Sequence, residues 1–271
     1  MLPVVKFGKT EITRLIVGGN PFSGNSHVDG EMDAEMLDFF TTETIKKTLW
    51  DCARGGIKTM QLRSDRHIMR IIRELRQEGC PLQWIAQSSP EIAPFESNIN
   101  STLVYEPIGI YIHGGVIDNL FLEKKYDEIK TMLNIVRKTG KMVGLGTHMP
   151  EVIYYAEENR LDLDFYMACV YNINGKPKIS SAITGKPNEG ERFEDEDKPL
   201  MYKAIQSTAK TCLAFKILGA TRNCKTPEAV EAAFKEAYEN IKPIDSVVVG
   251  MFPKYSEQVG ENCGFVKKYC R

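Results

Sequence analysis

Short runs of apolar, often β-branched residues alternate along the chain with longer stretches in which apolar positions recur every three to four residues. Eight runs read as strands: Arg14–Gly19, Thr59–Leu62, Gln83–Gln87, Ile108–His113, Met142–Gly146, Phe165–Val170, Cys212–Ile217 and Ser246–Gly250. Most are continuously apolar rather than alternating, which suits parallel strands covered on both faces. Between them the pattern predicts helices. The stretch 41–56 opens at a threonine cap and ends in Gly-Gly, and 64–79 opens at Ser64 with Ile68, Ile71, Ile72 and Leu75 on one face. The stretch 124–140 stops at Gly140, 150–159 has proline at its first helical position, and 226–240 and 256–269 follow the same logic. A β-α alternation repeated eight times in 271 residues predicts an α/β protein with one domain, a (β/α)8 TIM barrel. A doubly wound sheet is the runner-up. It needs a G-x-G-x-x-G turn after its first strand, and the sequence has none there. The longest irregular stretch, 172–199, is polar and follows the sixth strand, so it is expected at the C-terminal mouth as a lid or a solvated excursion.

Composition narrows the function classes. The net charge is −1 with acids and bases well mixed, so no global field favours nucleic acid or an anionic membrane. No apolar run reaches the roughly 18 residues that span a bilayer, and the N-terminus lacks a leader pattern. The expected setting is the cytoplasm and the expected partner a small-molecule substrate. The seven cysteines are irregularly spaced without a C-x-x-C, which reads as reduced, mostly buried thiols.

On a barrel, the C-terminal strand ends build the active site. The polar residues predicted there are Asn20, Gln61, Arg63, Gln87, His113, His148, Asn172, Lys216 and Arg222. His113 ends the apolar run "IGIYIH" and is followed by two glycines that let the backbone turn outward. Three roles are open to His113 and His148: hydrogen bonding to a polar ligand, with His113 as acid/base; a catalytic zinc set completed by Cys169; or structure alone. Lys216 interrupts an apolar run, "CLAFKILG", and reads as an anion anchor beside Arg222 or as a desolvated base or imine-forming nucleophile.

The opening "VVKFGKTEITRLIVGGN" and the closing "SVVVGMFPKYSEQVGEN" resemble aldo-keto reductases, as do "GLGTHMPEVI" and "LDLDFYMACVYN". The resemblance implies a TIM barrel with a short N-terminal β-hairpin and a nicotinamide dinucleotide cofactor. It implies cofactor contacts at Phe215, Lys216, Gln258, Glu261 and Asn262, with Thr147 and His148 where the carboxamide is usually held. Of the family's catalytic tetrad only the histidine is retained, as His113. Gln61 stands for the aspartate, Arg66 falls in the tyrosine's place and Gln87 in the lysine's. Three readings follow: a divergent barrel enzyme acting on a small anionic or sugar-like compound, a metal-dependent lyase or isomerase, and an inactive binding barrel.

Overall fold

A computed structural model describes residues 1–173 and 191–270. Strands β1 (Val4–Phe7) and β2 (Thr10–Thr13) pair as an antiparallel hairpin. The other eight are parallel and close into a barrel: β3 (Leu15–Gly18), β4 (Thr59–Arg63), β5 (Gln83–Gln87), β6 (Gly109–Ile112), β7 (Met142–Thr147), β8 (Phe165–Cys169), β9 (Thr211–Phe215) and β10 (Ser246–Gly250), with β10 hydrogen-bonded to β3. This is the expected TIM barrel, and its closure excludes the doubly wound alternative.

The pleat sends alternate strand residues inward and outward. Ile16, Ile85, Tyr111, Phe165, Met167, Leu213 and Val248 fill the barrel, and Val5, Phe7 and Ile12 of the hairpin plug its N-terminal end. Phe7 meets Phe165 edge-on with ring centroids 5.0 Å apart. The outward residues, among them Val17, Leu62, Ile110 and Leu145, pack beneath the helices in a second, larger core.

Ten helices are described: α1 (Gly30–Phe39), α2 (Thr42–Arg54), α3 (Arg66–Gln77), α4 (Phe95–Leu103), α5 (Gly114–Leu122), α6 (Tyr126–Arg137), α7 (Pro150–Glu158), α8 (Asp197–Ser207), α9 (Pro227–Asn240) and α10 (Gln258–Tyr269). Thr41 caps α2 as expected. Helix α3 is capped by Asp65, not Ser64: the Asp65 carboxylate accepts from the Ile68 N–H, while the Ser64 hydroxyl is held by the Gln87 carbonyl and Asn98. Helices α1, α4, α5 and α8 escape the sequence pattern. Segment α5 reads "GGVIDNLFL", which starts on two poor helix formers and is too uniformly apolar to show a period. Of the stretch expected to be irregular, residues 197–199 open α8 and 174–190 lie outside the described residues.

Gly146 shows how tightly the wall near the mouth is built. A Cβ there would lie 2.8 Å from the Ile112 carbonyl oxygen and 2.9 Å from the Gly114 nitrogen, both backbone atoms of the neighbouring chain segment. No side chain can yield, so Gly146→Ala is expected to cost about 1–3 kcal/mol. Gly264→Ala, inside α10 with nothing within 4 Å of the new methyl, is expected to be neutral or stabilising. Urea midpoints of the two variants check this pair.

Candidate active site

A cavity of about 640 Å³ opens at the C-terminal ends of the strands. Asn20, Gln61, Arg63, Gln87, His113, His148, Phe215, Lys216, Gln258, Glu261 and Asn262 all line it. Cys169, Asn172 and Arg222 are not part of its lining.

His113 leaves β6 and caps α5. Its Nδ1 accepts the Gly115 N–H at 3.1 Å, and its own N–H donates to Ser88 Oγ at 3.0 Å. An Nδ1 that accepts leaves the ring proton on Nε2 in the neutral form. Burial, then the nearby Arg63 guanidinium, push its pKa down to about 3, and the positive end of the helix dipole acts in the same sense. His113 is therefore a neutral imidazole at pH 7 that donates from Nε2. No described residue partners that nitrogen.

His148, just past the end of β7, is committed the other way. Its Nδ1 lies 2.7 Å from Asp118 Oδ2, and its backbone N–H also reaches that carboxylate. Asp118, in α5, is fully buried and accepts the Thr147 hydroxyl at 2.6 Å. A carboxylate can only accept, so the His148 ring proton sits on Nδ1 and its lone pair on Nε2. Burial lowers its pKa against the opposing pull of Asp118. The ring fits because Gly114 has no side chain: a Cβ there would stand 3.1 Å from His148 Cε1. Phe215 meets the ring edge-on at 5.6 Å.

A third group bridges the mouth. His27, in the left-handed region at φ 58°, sits between Asn20 Nδ2 at 3.2 Å and Glu191 Oε2 at 2.8 Å. Lys216, also left-handed at φ 63°, brings Nζ to 3.4 Å from His27 Nδ1 and 5.7 Å from the Phe193 ring centroid. Burial, then Lys216, lower the His27 pKa to about 4. Arg222 is exposed: its guanidinium stacks on Phe193 at 3.9 Å and donates to the His27 and Gly219 carbonyls, which makes it a fastener for these loops. Arg63 is 8% exposed and pairs with Asp65 at 3.2 Å and with Glu91. Asn172 donates its backbone N–H to Asp197.

Three site histidines with lowered pKa values make folding acid-sensitive. The unfolded chain takes up these protons near 6.5, whereas folded His27 and His113 resist until about 4 and about 3. The unfolded state thus binds more protons over that window, and stability falls as pH falls. The melting temperature is expected to drop between pH 6.5 and 4, and to drop less steeply in His113→Gln.

The expected zinc set is not assembled. Among the described residues no three His, Cys, Asp or Glu side chains group to hold a metal ion. Cys169 is fully buried, and burial pushes its thiol up to about 12. The nicotinamide cofactor implied by the resemblance fits by halves. Glu261 and Asn262 reach the cavity from the first turns of α10. At the carboxamide position, however, Thr147 is fully buried with its hydroxyl on Asp118, and His148 Nδ1 is on the same carboxylate. The nicotinamide half does not fit these side chains. Sequence reasoning missed Asp118 and Glu191. Asp118 carries a signal, as the single charge in the apolar run after "HGG".

Among the described residues no helix is long and apolar enough to cross a membrane. No protein-family model matches the chain, and no curated protein does. Among solved structures it is similar to an aldo-keto reductase from Bacillus halodurans, with TM-score 0.58 and 10% identity over 100% of this chain and 97% of that one. It is similar to a glycerol dehydrogenase from Gluconobacter oxydans, with TM-score 0.57 and 10% identity over 98% and 89%. It is also similar to a truncated 3-deoxy-D-arabino-heptulosonate 7-phosphate synthase from Thermotoga maritima, with TM-score 0.55 and 13% identity over 99% and 91%. These identities carry the fold alone: the chain has a TIM-barrel enzyme fold, shared with proteins of several reaction classes.

Proposed function

We propose that this chain is an enzyme that moves a proton on the carbon beside a carbonyl of a small polar substrate, as a lyase or isomerase does. The observation that carries the reading is the opposite commitment of two Nδ1 atoms in one cavity, His113 accepting from Gly115 and His148 donating to Asp118. His148 Nε2 removes the proton. The C–H electron pair forms the C=C bond of an enediol(ate), and the carbonyl π pair moves to oxygen, which takes a hydrogen bond from His113 Nε2–H. Return of the proton from His148 to the same carbon completes exchange; return to the adjacent carbon, with the hydroxyl proton of the enediolate passing from its own oxygen to the neighbouring oxyanion, completes isomerisation. A base with a buried carboxylate behind it and a neutral donor at the oxyanion are the two parts such chemistry needs. This assigns the base to His148, not to His113.

Incubation in D2O with dihydroxyacetone and glyceraldehyde, followed by proton NMR, tests the reading. Deuterium should enter the carbon beside the carbonyl with wild-type protein and not with His148→Gln. Wild-type rates no higher than those of the variant would sink it.

A nicotinamide-dependent oxidoreductase is the second reading, supported by the placement of Gln258, Glu261 and Asn262 on the cavity wall. With Gln61 and Gln87 in place of the tetrad's aspartate and lysine, and Thr147 turned into the wall, we expect no NADPH-dependent reduction of nitrobenzaldehyde. Loss of absorbance from NADPH that disappears in His113→Ala would favour this second reading over the first.

A further inference from the structure

The floor of the cavity carries polar groups that the proton-transfer reading does not use. Tyr111 is 3% exposed, yet its hydroxyl has no hydrogen-bond partner among the described residues. It is not among the sealed, unsatisfied buried atoms either, so its oxygen opens on the cavity. A buried tyrosine hydroxyl ordinarily finds a partner. Gln61, 7% exposed, and Gln87 also line the cavity, and their side-chain amides have no partner among the described residues. The register sets these groups side by side: Gln87 is the Cα partner of Tyr111 across β5 and β6, and Gln61 lies one inward step below Arg63, the partner of Gln87 on β4. Adjacent strands are about 4.8 Å apart, close to the spacing of hydroxyls along a carbon chain two or three atoms apart.

The chemistry of this row is neutral. Each amide offers both a donor and an acceptor, as does the phenol, which suits hydroxyl groups better than a carboxylate or phosphate, which only accepts. Charge on the wall is offset. Arg63 already faces Asp65 and Glu91, and Lys216 and Lys225 share the lining with an equal number of carboxylates, Glu191 and Glu261. Arg222, expected as an anion anchor, points its guanidinium at carbonyls and Phe193.

We infer that the substrate is an uncharged polyhydroxy carbonyl compound whose hydroxyls are read by Gln61, Gln87 and Tyr111. This deepens the proton-transfer reading and names the substrate class of the same cavity. Tyr111 is a specificity residue here, and its hydroxyl is held ready for the ligand.

The test is ligand-induced thermal stabilisation of wild type, Tyr111→Phe and Gln87→Leu with two probe sets. One set is neutral pentoses, hexoses and the corresponding polyols. The other is inorganic phosphate and sugar phosphates. Neutral sugars or polyols should raise the wild-type melting temperature, because a ligand that binds only the folded state stabilises it. Affinity should fall about tenfold in each variant, roughly one lost hydrogen bond to a buried group. Without ligand, Tyr111→Phe should melt no lower than wild type, since it deletes a hydroxyl that bonds no described residue. A drop in its ligand-free melting temperature would make the hydroxyl structural and overturn its assignment. No shift from any neutral compound, or binding confined to the phosphates and unchanged in Tyr111→Phe, overturns the inference. The two proposals fail separately. Sugar binding that depends on Tyr111 without deuterium exchange keeps this inference and removes the proton transfer. Exchange on an anionic substrate, indifferent to Tyr111, does the reverse.

Discussion

Asp118→Asn is expected to slow deuterium exchange by about 10²–10⁴-fold while leaving the barrel folded. The carboxylate accepts from the Thr147 hydroxyl, the His148 backbone N–H and His148 Nδ1. An asparagine has one accepting oxygen for these donors. If its amide nitrogen turns to His148, Nδ1 must accept, the ring proton moves to Nε2, and the base becomes a donor. If its oxygen stays there, the amide nitrogen faces the Thr147 hydroxyl, which must reverse. Substrate affinity should change little, because Asp118 is buried behind the histidine. Asp118→Ala goes further. It strands the His148 backbone N–H and Nδ1–H and leaves the Thr147 hydroxyl only its long contact with the Met149 carbonyl, 3.3 Å, and should cost about 3–5 kcal/mol of stability. Exchange rates for the first variant and urea midpoints for both check the pair. A fall in stability with no change in rate in Asp118→Asn would make the Asp118–His148 contact a structural one.

His113→Ala is expected to lower the exchange rate by about 10²–10³-fold through loss of the donor to the developing oxyanion. The same change removes the side-chain cap of α5, worth about 1 kcal/mol. It also removes a buried imidazole that resists protonation until about pH 3, so the variant should lose less stability than wild type on acidification. Activity and acid stability therefore move in opposite directions, a combination that a merely structural histidine would not give.

His113 is legible in the sequence because an apolar strand ends in it and two glycines follow. Gln87 is legible for the same reason, and Gln61 and Lys216 as polar residues that interrupt apolar runs. What the sequence conceals is direction. The register and the helix that follows decide that His113 turns its Nδ1 onto the Gly115 N–H, and nothing in "HGG" states it. Asp118 is hidden inside an apolar helix that shows no period, and its partner His148 is 30 positions away. Glu191 reaches His27 across 164 positions. Arg222 shows the converse case. Its charge and its place after strand β9 suggest an anion site, but in a loop with left-handed backbone at Ala220 and Thr221 the guanidinium is aimed at carbonyl oxygens. Residue type announced most of the floor of the site, whereas loop geometry decided its rim.

Two neutral histidines in one cavity hold their protons on opposite nitrogens. Long-range ¹H–¹⁵N NMR of the imidazole rings at pH 7 reads this directly, with His113→Gln and His148→Gln supplying the assignments. His113 is expected to carry its proton on Nε2 and His148 on Nδ1, both rings neutral, with His113 still neutral at pH 5. The same tautomer on both rings, a proton on Nδ1 of His113, or an imidazolium at either position at pH 7 would contradict it.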